Sequence, residues 1–184
     1  TLSKSLQAVV IGDSSIFASC TTLENVFAPD NSQYFKSVDG VLYDLSGTIL
    51  YCFPAKKTPD GFALPTTLIE IAPYAMQSFR GTTLELPESL EKIGDYAFAY
   101  SKITEIHIPK NVETLGNCAF HQYKNYATTG DSLLKITFAA DSKLKTIGKN
   151  AFEGNKYLVQ IHLPDNVETI GINAFAFCAE LEEI

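Results

Sequence analysis

Few side chains in this 184-residue sequence combine the type and spacing that chemistry requires, and each has a competing structural use. His107 and His162 hold equivalent places in the words IHIP (106–109) and IHLP (161–164), so two imidazoles on one face could hold a metal ion. The word ITFA (136–139) falls between them and sets Thr137 on the intervening strand. Strands lie about 4.8 Å apart, which leaves the histidines roughly 10 Å from each other, too far to share one ion. Ser14, in Gly12-Asp13-Ser14, is a nucleophile only beside a histidine base that a third group orients. Asp39 and Asp44 suggest calcium, but Asp39 precedes Gly40, and Asp-Gly is turn chemistry. Cys20, Cys52, Cys118 and Cys178 lack the close pairing of a zinc or redox motif. Cys20 and Cys178 each stand three residues after a phenylalanine, where packed thiols are expected. There is no P-loop, Gly-x-Gly-x-x-Gly, His-Glu-x-x-His or EF-hand pattern, so the expected catalytic residues, metals and cofactors are none.

The elements that must carry these residues recur. Residues 158–184 hold one complete unit and the start of another, Leu-x-x-Ile-x-Leu-Pro-x-x-Val-x-x-Ile-Gly-x-x-Ala-Phe-x-x-Cys-x-x-Leu. VFAP (26–29), FALP (62–65), LELP (84–87), IHIP, ITFA and IHLP are equivalent words. Each puts two apolar residues on one face at spacing two, the mark of a short strand, and most end on a proline that cannot continue a ladder. Met76, Phe98, Phe120 and Phe175 follow eleven residues after those prolines, and Phe152 thirteen after Ala139. Ile71, Ile93, Leu115, Ile147 and Ile170 lie between, four of them followed by a glycine that implies a left-handed or tightly packed turn.

Units of 22 or 23 residues cannot bury their own apolar face, so they must stack as a solenoid. The expectation is a parallel sheet on one face, short or helical turns on the other, and a single file of phenylalanines from the Ala-Phe pairs. The register breaks at 31–61, where β-branched and aromatic runs flank Asp39-Gly40 and Ser46-Gly47. A hairpin of strands 41–43 and 48–53 is predicted there, ended by Pro54. A second, polar loop insertion is predicted at 121–132, because Phe120 and Phe152 stand 32 residues apart. Residues 1–30 already follow the unit offsets, so 1–184 reads as one domain.

Hydrophobic residues at 46% and charged residues at 19% exclude a disordered chain. A formal charge of -7 with a single arginine, Arg80, opposes binding to a phosphate backbone, so nucleic acid is not an expected partner. No apolar run approaches the roughly 20 residues that span a bilayer, so no membrane insertion by this segment is expected.

The words LPESLEKIGDYAF, IPKNVETLGNCAF and LPDNVETIGINAF resemble the BspA-type leucine-rich repeats of bacterial surface proteins, as does SVDGVLY (37–43) followed by FP (53–54). The resemblance covers nearly the whole chain. It implies an α/β-type solenoid, a right-handed leucine-rich-repeat superhelix with a parallel sheet on one face and a small antiparallel hairpin insertion. It also implies a secreted or cell-surface protein without shared catalytic residues that binds a protein partner, such as a host or extracellular-matrix protein, in adhesion. Gly12-Asp13-Ser14 resembles the nucleophile block of GDS-type serine esterases, a remote alternative. That family needs Asp-x-x-His, and the residues three before His107, His121 and His162 are Thr104, Cys118 and Val159.

Recognition is therefore expected from the outward strand residues and the inserted loops. On the strands these are Phe27, Ala63, Glu85, His107, Thr137 and His162, beside the row Thr83, Glu105, Lys135, Gln160 and Glu183. On the loops they are Tyr43, Tyr51, Tyr123 and Tyr126, since tyrosine is favoured at recognition surfaces. For Tyr43 and Tyr51 the competing reading is that they only pack the hairpin onto the solenoid. For the whole chain it is a structural spacer without a ligand.

Overall fold

The computed structural model describes residue 17, residues 19–122 and residues 132–184. Among these, ten β-strands form and no helix. They are β1 (Phe35–Val38), β2 (Val41–Asp44), β3 (Ile49–Cys52), β4 (Glu70–Ile71), β5 (Lys92–Ile93), β6 (Glu105–Ile108), β7 (Thr114–Leu115), β8 (Lys135–Phe138), β9 (Thr146–Ile147) and β10 (Thr169–Ile170).

The long ladder does not run through the proline-terminated words, where it was expected. It runs through the Ile-Gly step. One eight-stranded sheet has the order β1-β2-β3-β4-β5-β7-β9-β10, parallel from β3 onward, whereas β6 and β8 make a separate two-stranded parallel sheet. Glycine explains the preference. A Cβ at Gly116 would lie 2.5 Å from the Gly94 carbonyl carbon, and one at Gly148 would lie 2.5 Å from that of Gly116. A file of glycines therefore lets successive backbones touch at this step. The glycines serve close approach; the left-handed residues are others, Tyr74, Tyr96, Cys118, Asn150 and Asn173, each three after the Ile or Leu of that step, which is buried in all but the last.

The turn side of each unit departs from the α/β expectation for a definite reason. Alternate amides bond locally, as Ala75 to Ala72 and Gln77 to Tyr74, and the intervening ones bond to the next unit, as Tyr74 to Asp95, Met76 to Ala97 and Ser78 to Ala99. The scheme recurs from Tyr96, Phe98 and Tyr100 to Asn117, Ala119 and His121, and from Asn150, Phe152 and Gly154 to Ile172, Ala174 and Ala176. A helix would consume every amide internally. Here half of them tie neighbouring units together.

The interior is shared along the stack. Ile71, Ile93, Leu115 and Ile147 are fully buried in one cluster that runs from Val41 to Ala174. Phe98, Phe120, Phe152 and Phe175 stack nearly parallel, with ring centroids 5.2, 5.5 and 5.3 Å apart, which is the predicted single file. Polar side chains also join units. Asp95 Oδ1 accepts from the Asn117 amide at 2.7 Å, and Asn117 Oδ1 from the Lys149 amide at 2.9 Å. Buried Asn155 accepts from the Leu133 amide and donates to the Phe120 and Phe152 carbonyls.

The predicted hairpin strands pair antiparallel as β2 and β3, the second shorter than the expected 48–53, and β1 adds a third strand across the Asp39–Gly40 turn, whose φ angles are 48° and 75°. Asp44 closes the β2–β3 turn, accepting from the Ile49 amide at 2.7 Å and from Ser46 and Thr48. Burial works against its charge, but these bonds outweigh it and hold the carboxyl below its usual value. β3 then pairs parallel with β4, so the last strand of the meander is itself a rung of the long sheet.

Candidate functional site

The outward row exists as a physical surface. β6 and β8 expose alternate residues, Glu105 and His107 on one strand and Lys135 and Thr137 on the other, while Ile106, Ile108 and Ile136 point inward. Parallel register sets Glu105 against Lys135 and His107 against Thr137. His107 Nδ1 and Thr137 Oγ1 are 2.9 Å apart. Thr83 extends the row through a bridge to Glu105, and Gln160 bridges Glu183 on the far side. Glu85 and His162 are exposed, and the His162 ring bonds the Gln160 amide at 2.8 Å. Phe27 is 51% exposed. The row thus alternates acid, imidazole, hydroxyl, lysine and amide on a backbone whose inner face is locked in the core.

The loop candidates fare differently. Tyr43 is 2% exposed and belongs to the central cluster, so it packs the meander onto the solenoid and offers a partner nothing. Burial, with the nearby Asp39 charge, pushes its hydroxyl up to about 12. Tyr51 is half-buried, edge-on to Phe35 at 5.7 Å, and burial raises its hydroxyl too. Tyr123, Tyr126 and Ser14 lie outside the described residues. Cys52, Cys118 and Cys178 are buried, but Cys20, expected to pack like Cys178, is exposed. Burial pushes the Cys52 thiol up to about 12 and the Cys178 thiol up to about 11, and the Cys178 thiol donates to the Phe152 carbonyl at 3.2 Å. Such thiols pack rather than react. Among the described residues no three His, Cys, Asp or Glu side chains gather where they could hold a metal ion.

Two grooves open on the same face, and the sequence reading missed both. One, of about 470 Å³, lies between residues 62–66 and 83–87. The other, of about 540 Å³, lies between β8 and residues 159–162. The second has a sequence signal. Ile147 follows Ala139 by eight positions, where Ile93, Leu115 and Ile170 follow Pro87, Pro109 and Pro164 by six.

The model of the BspA type leucine-rich repeat region matches six copies in this chain, over residues 50–130 and 124–184. The chain belongs to this family. No curated protein matches it. A leucine-rich cell surface protein from Faecalibacterium prausnitzii has a similar structure, with TM-score 0.71 and 23% identity over 92% of this chain and 43% of that one. The pneumococcal vaccine antigen PcpA gives 0.65 and 27% over 88% and 38%, and a leucine-rich repeat protein from Eubacterium ventriosum gives 0.62 and 20% over 89% and 55%. The chain spans about half or less of the length of these proteins. As a member of the BspA-type repeat family it shares their fold. Within the described residues, no helix is long and apolar enough to cross a membrane.

Proposed function

We propose that this chain is a non-enzymatic, protein-binding module of a secreted or cell-surface protein, active in adhesion or recognition of a host or extracellular-matrix protein. The observation that carries this reading is the outward row Glu85, Glu105, His107, Lys135, Thr137 and His162, exposed and chemically mixed on strands pinned from behind by a continuous core. Repeat scaffolds of this kind present preformed surfaces, so binding loses little conformational entropy. The surface or antigen descriptions of two similar structures support the location. The parallel crossovers fit a right-handed superhelix, the hand that such connections overwhelmingly take. The meander β1–β3 is read as an insertion into the array.

The test is a column of immobilised chain challenged with extracellular-matrix and plasma proteins, alongside a variant carrying alanine at Glu85, His107, Thr137 and His162. Retention of a defined protein by the wild type, lost in the variant, is the expected result. Equal retention by both overturns the assignment of binding to the outward row, and retention by neither leaves a structural spacer.

A further inference from the structure

The recognition row is interrupted by a break in its hydrogen bonding, and the break has a chemistry of its own. Successive residues of a parallel strand bond to opposite sides. Lys135 and Ala139 donate to Thr104 and Ile108 on the β6 side. Ile136 and Phe138 therefore turn their backbone groups toward the opposite edge. Across the groove, the Val159 carbonyl accepts from Glu182 and Ile161 donates to Glu183, so Gln160 and His162 turn theirs back toward β8. The two banks do not pair. Among the described residues the smaller sheet ends at β8, and the next bridge is Gln160 with Glu183.

The opening is one-sided. At the Ile-Gly step β7, β9 and β10 remain paired without interruption. The two additional residues between Ala139 and Ile147 lengthen the path from β8 to β9 alone. The stack is thus held shut along the glycine file and wedged apart at the row. Leu134 and Val159, 39% and 44% exposed, stand on its two lips. Lys135 lines it and no carboxylate does, although the whole chain carries a formal charge of -7 and Glu105 and Glu183 occupy the rungs beyond.

A free strand edge, apolar lips and one lysine describe the complement of a backbone. We propose that this breach docks an extended peptide segment of a partner protein, which adds a strand to the open edge of β8 and sets an acidic side chain against Lys135. Main-chain bonds to Ile136 and Phe138 supply affinity and the side chains along the lips supply selectivity, the mode known as strand addition. The inference rests on the protein-binding reading above and narrows it to one class of ligand and one place.

The test uses the full chain and a fluorescein-labelled decapeptide of alternating threonine and valine with a central aspartate. Three companions are needed: the same peptide N-methylated at every second amide in either register, one with a central lysine, and the Lys135→Glu protein. Anisotropy should rise saturably with the parent peptide. At least one N-methylated register should bind about tenfold more weakly, and Lys135→Glu should reverse the preference between aspartate and lysine. Hydrogen exchange gives an independent readout. The Ile136 and Phe138 amides should exchange faster than those of Lys135 and Thr137 in the free protein and slow by about tenfold or more with peptide. The proposal falls if no peptide binds below about 1 mM, if neither N-methylated register loses affinity, or if Ile136 and Phe138 are already protected without peptide. Should it fall while the column still retains a protein through the outward row, only this inference is lost.

Discussion

At the scale of single residues, backbone conformation and side-chain position have been divided between different amino acids. Gly116 is required for contact rather than for its φ, because an added Cβ would meet Gly94 and Asp95 backbone at 2.5 Å. Gly116→Ala should cost about 3 kcal/mol in urea unfolding, the upper range for overpacking. Ser78, by contrast, sits at φ 61° with its amide bonded to Ala99. Ser78→Gly relieves the left-handed penalty and should raise stability by about 0.5 to 1 kcal/mol. The thiols give a second check. Ellman's reagent at pH 8 should titrate Cys20 quickly and Cys52, Cys118 and Cys178 only on unfolding, since Cys20 alone is exposed. A raised folded-state value means that the native state holds its proton longer than the unfolded chain. The contribution of these two thiols to stability is therefore constant below the ordinary thiol value of 9.0 and declines as pH rises from there through about 11, where Cys178 titrates, toward about 12 for Cys52.

At the scale of the element, the aromatic file is the unit of cohesion. Phe120 is 2% exposed and stacks on a neighbour above and below, at 5.2 and 5.5 Å, whereas Phe175 is half-buried with one such neighbour. Phe120→Ala should cost about 3 to 5 kcal/mol and Phe175→Ala markedly less, read from denaturant midpoints at constant slope. The file and its spacing were readable from the Ala-Phe pairs, because a residue that recurs at fixed offset in a stacked array must face its own copies. The ladders were not. Both the Ile-Gly step and the proline-terminated words have strand-like alternation, and only the distance between backbones, set by the glycine file, decides which of them pairs continuously. The absence of helix among the described residues follows from the same competition, since amides committed to the adjacent unit cannot also close helical turns.

At the scale of the whole molecule, stability is a sum of units and the contacts between neighbours. The rung at Thr169–Ile170 is exposed, Ile172 is 73% exposed, and Ile93, Leu115 and Ile147 are fully buried. Amide exchange of this chain should accordingly be graded. Thr169 and Gly171 should open with a lower free energy than Gly94 and Gly116, measured by native-state exchange, instead of all reporting one global transition. The outward row follows the same order of rigidity, being best supported at β6 and β8 and open beyond β8.

The amino-acid order by itself determined the repeat length, the inward and outward residues of each strand, the phenylalanine file and the turn at Asp39-Gly40, because these depend on periodicity and local backbone preference. Tertiary structure alone decided that Tyr43 is buried, that the glycine step carries the long sheet, and that the row parts beside β8. Those outcomes depend on how closely two units approach at each point around the turn. At the Ile-Gly step that distance is set by contacts between the glycines of successive units, so it belongs to the stacked units and to no single one of them.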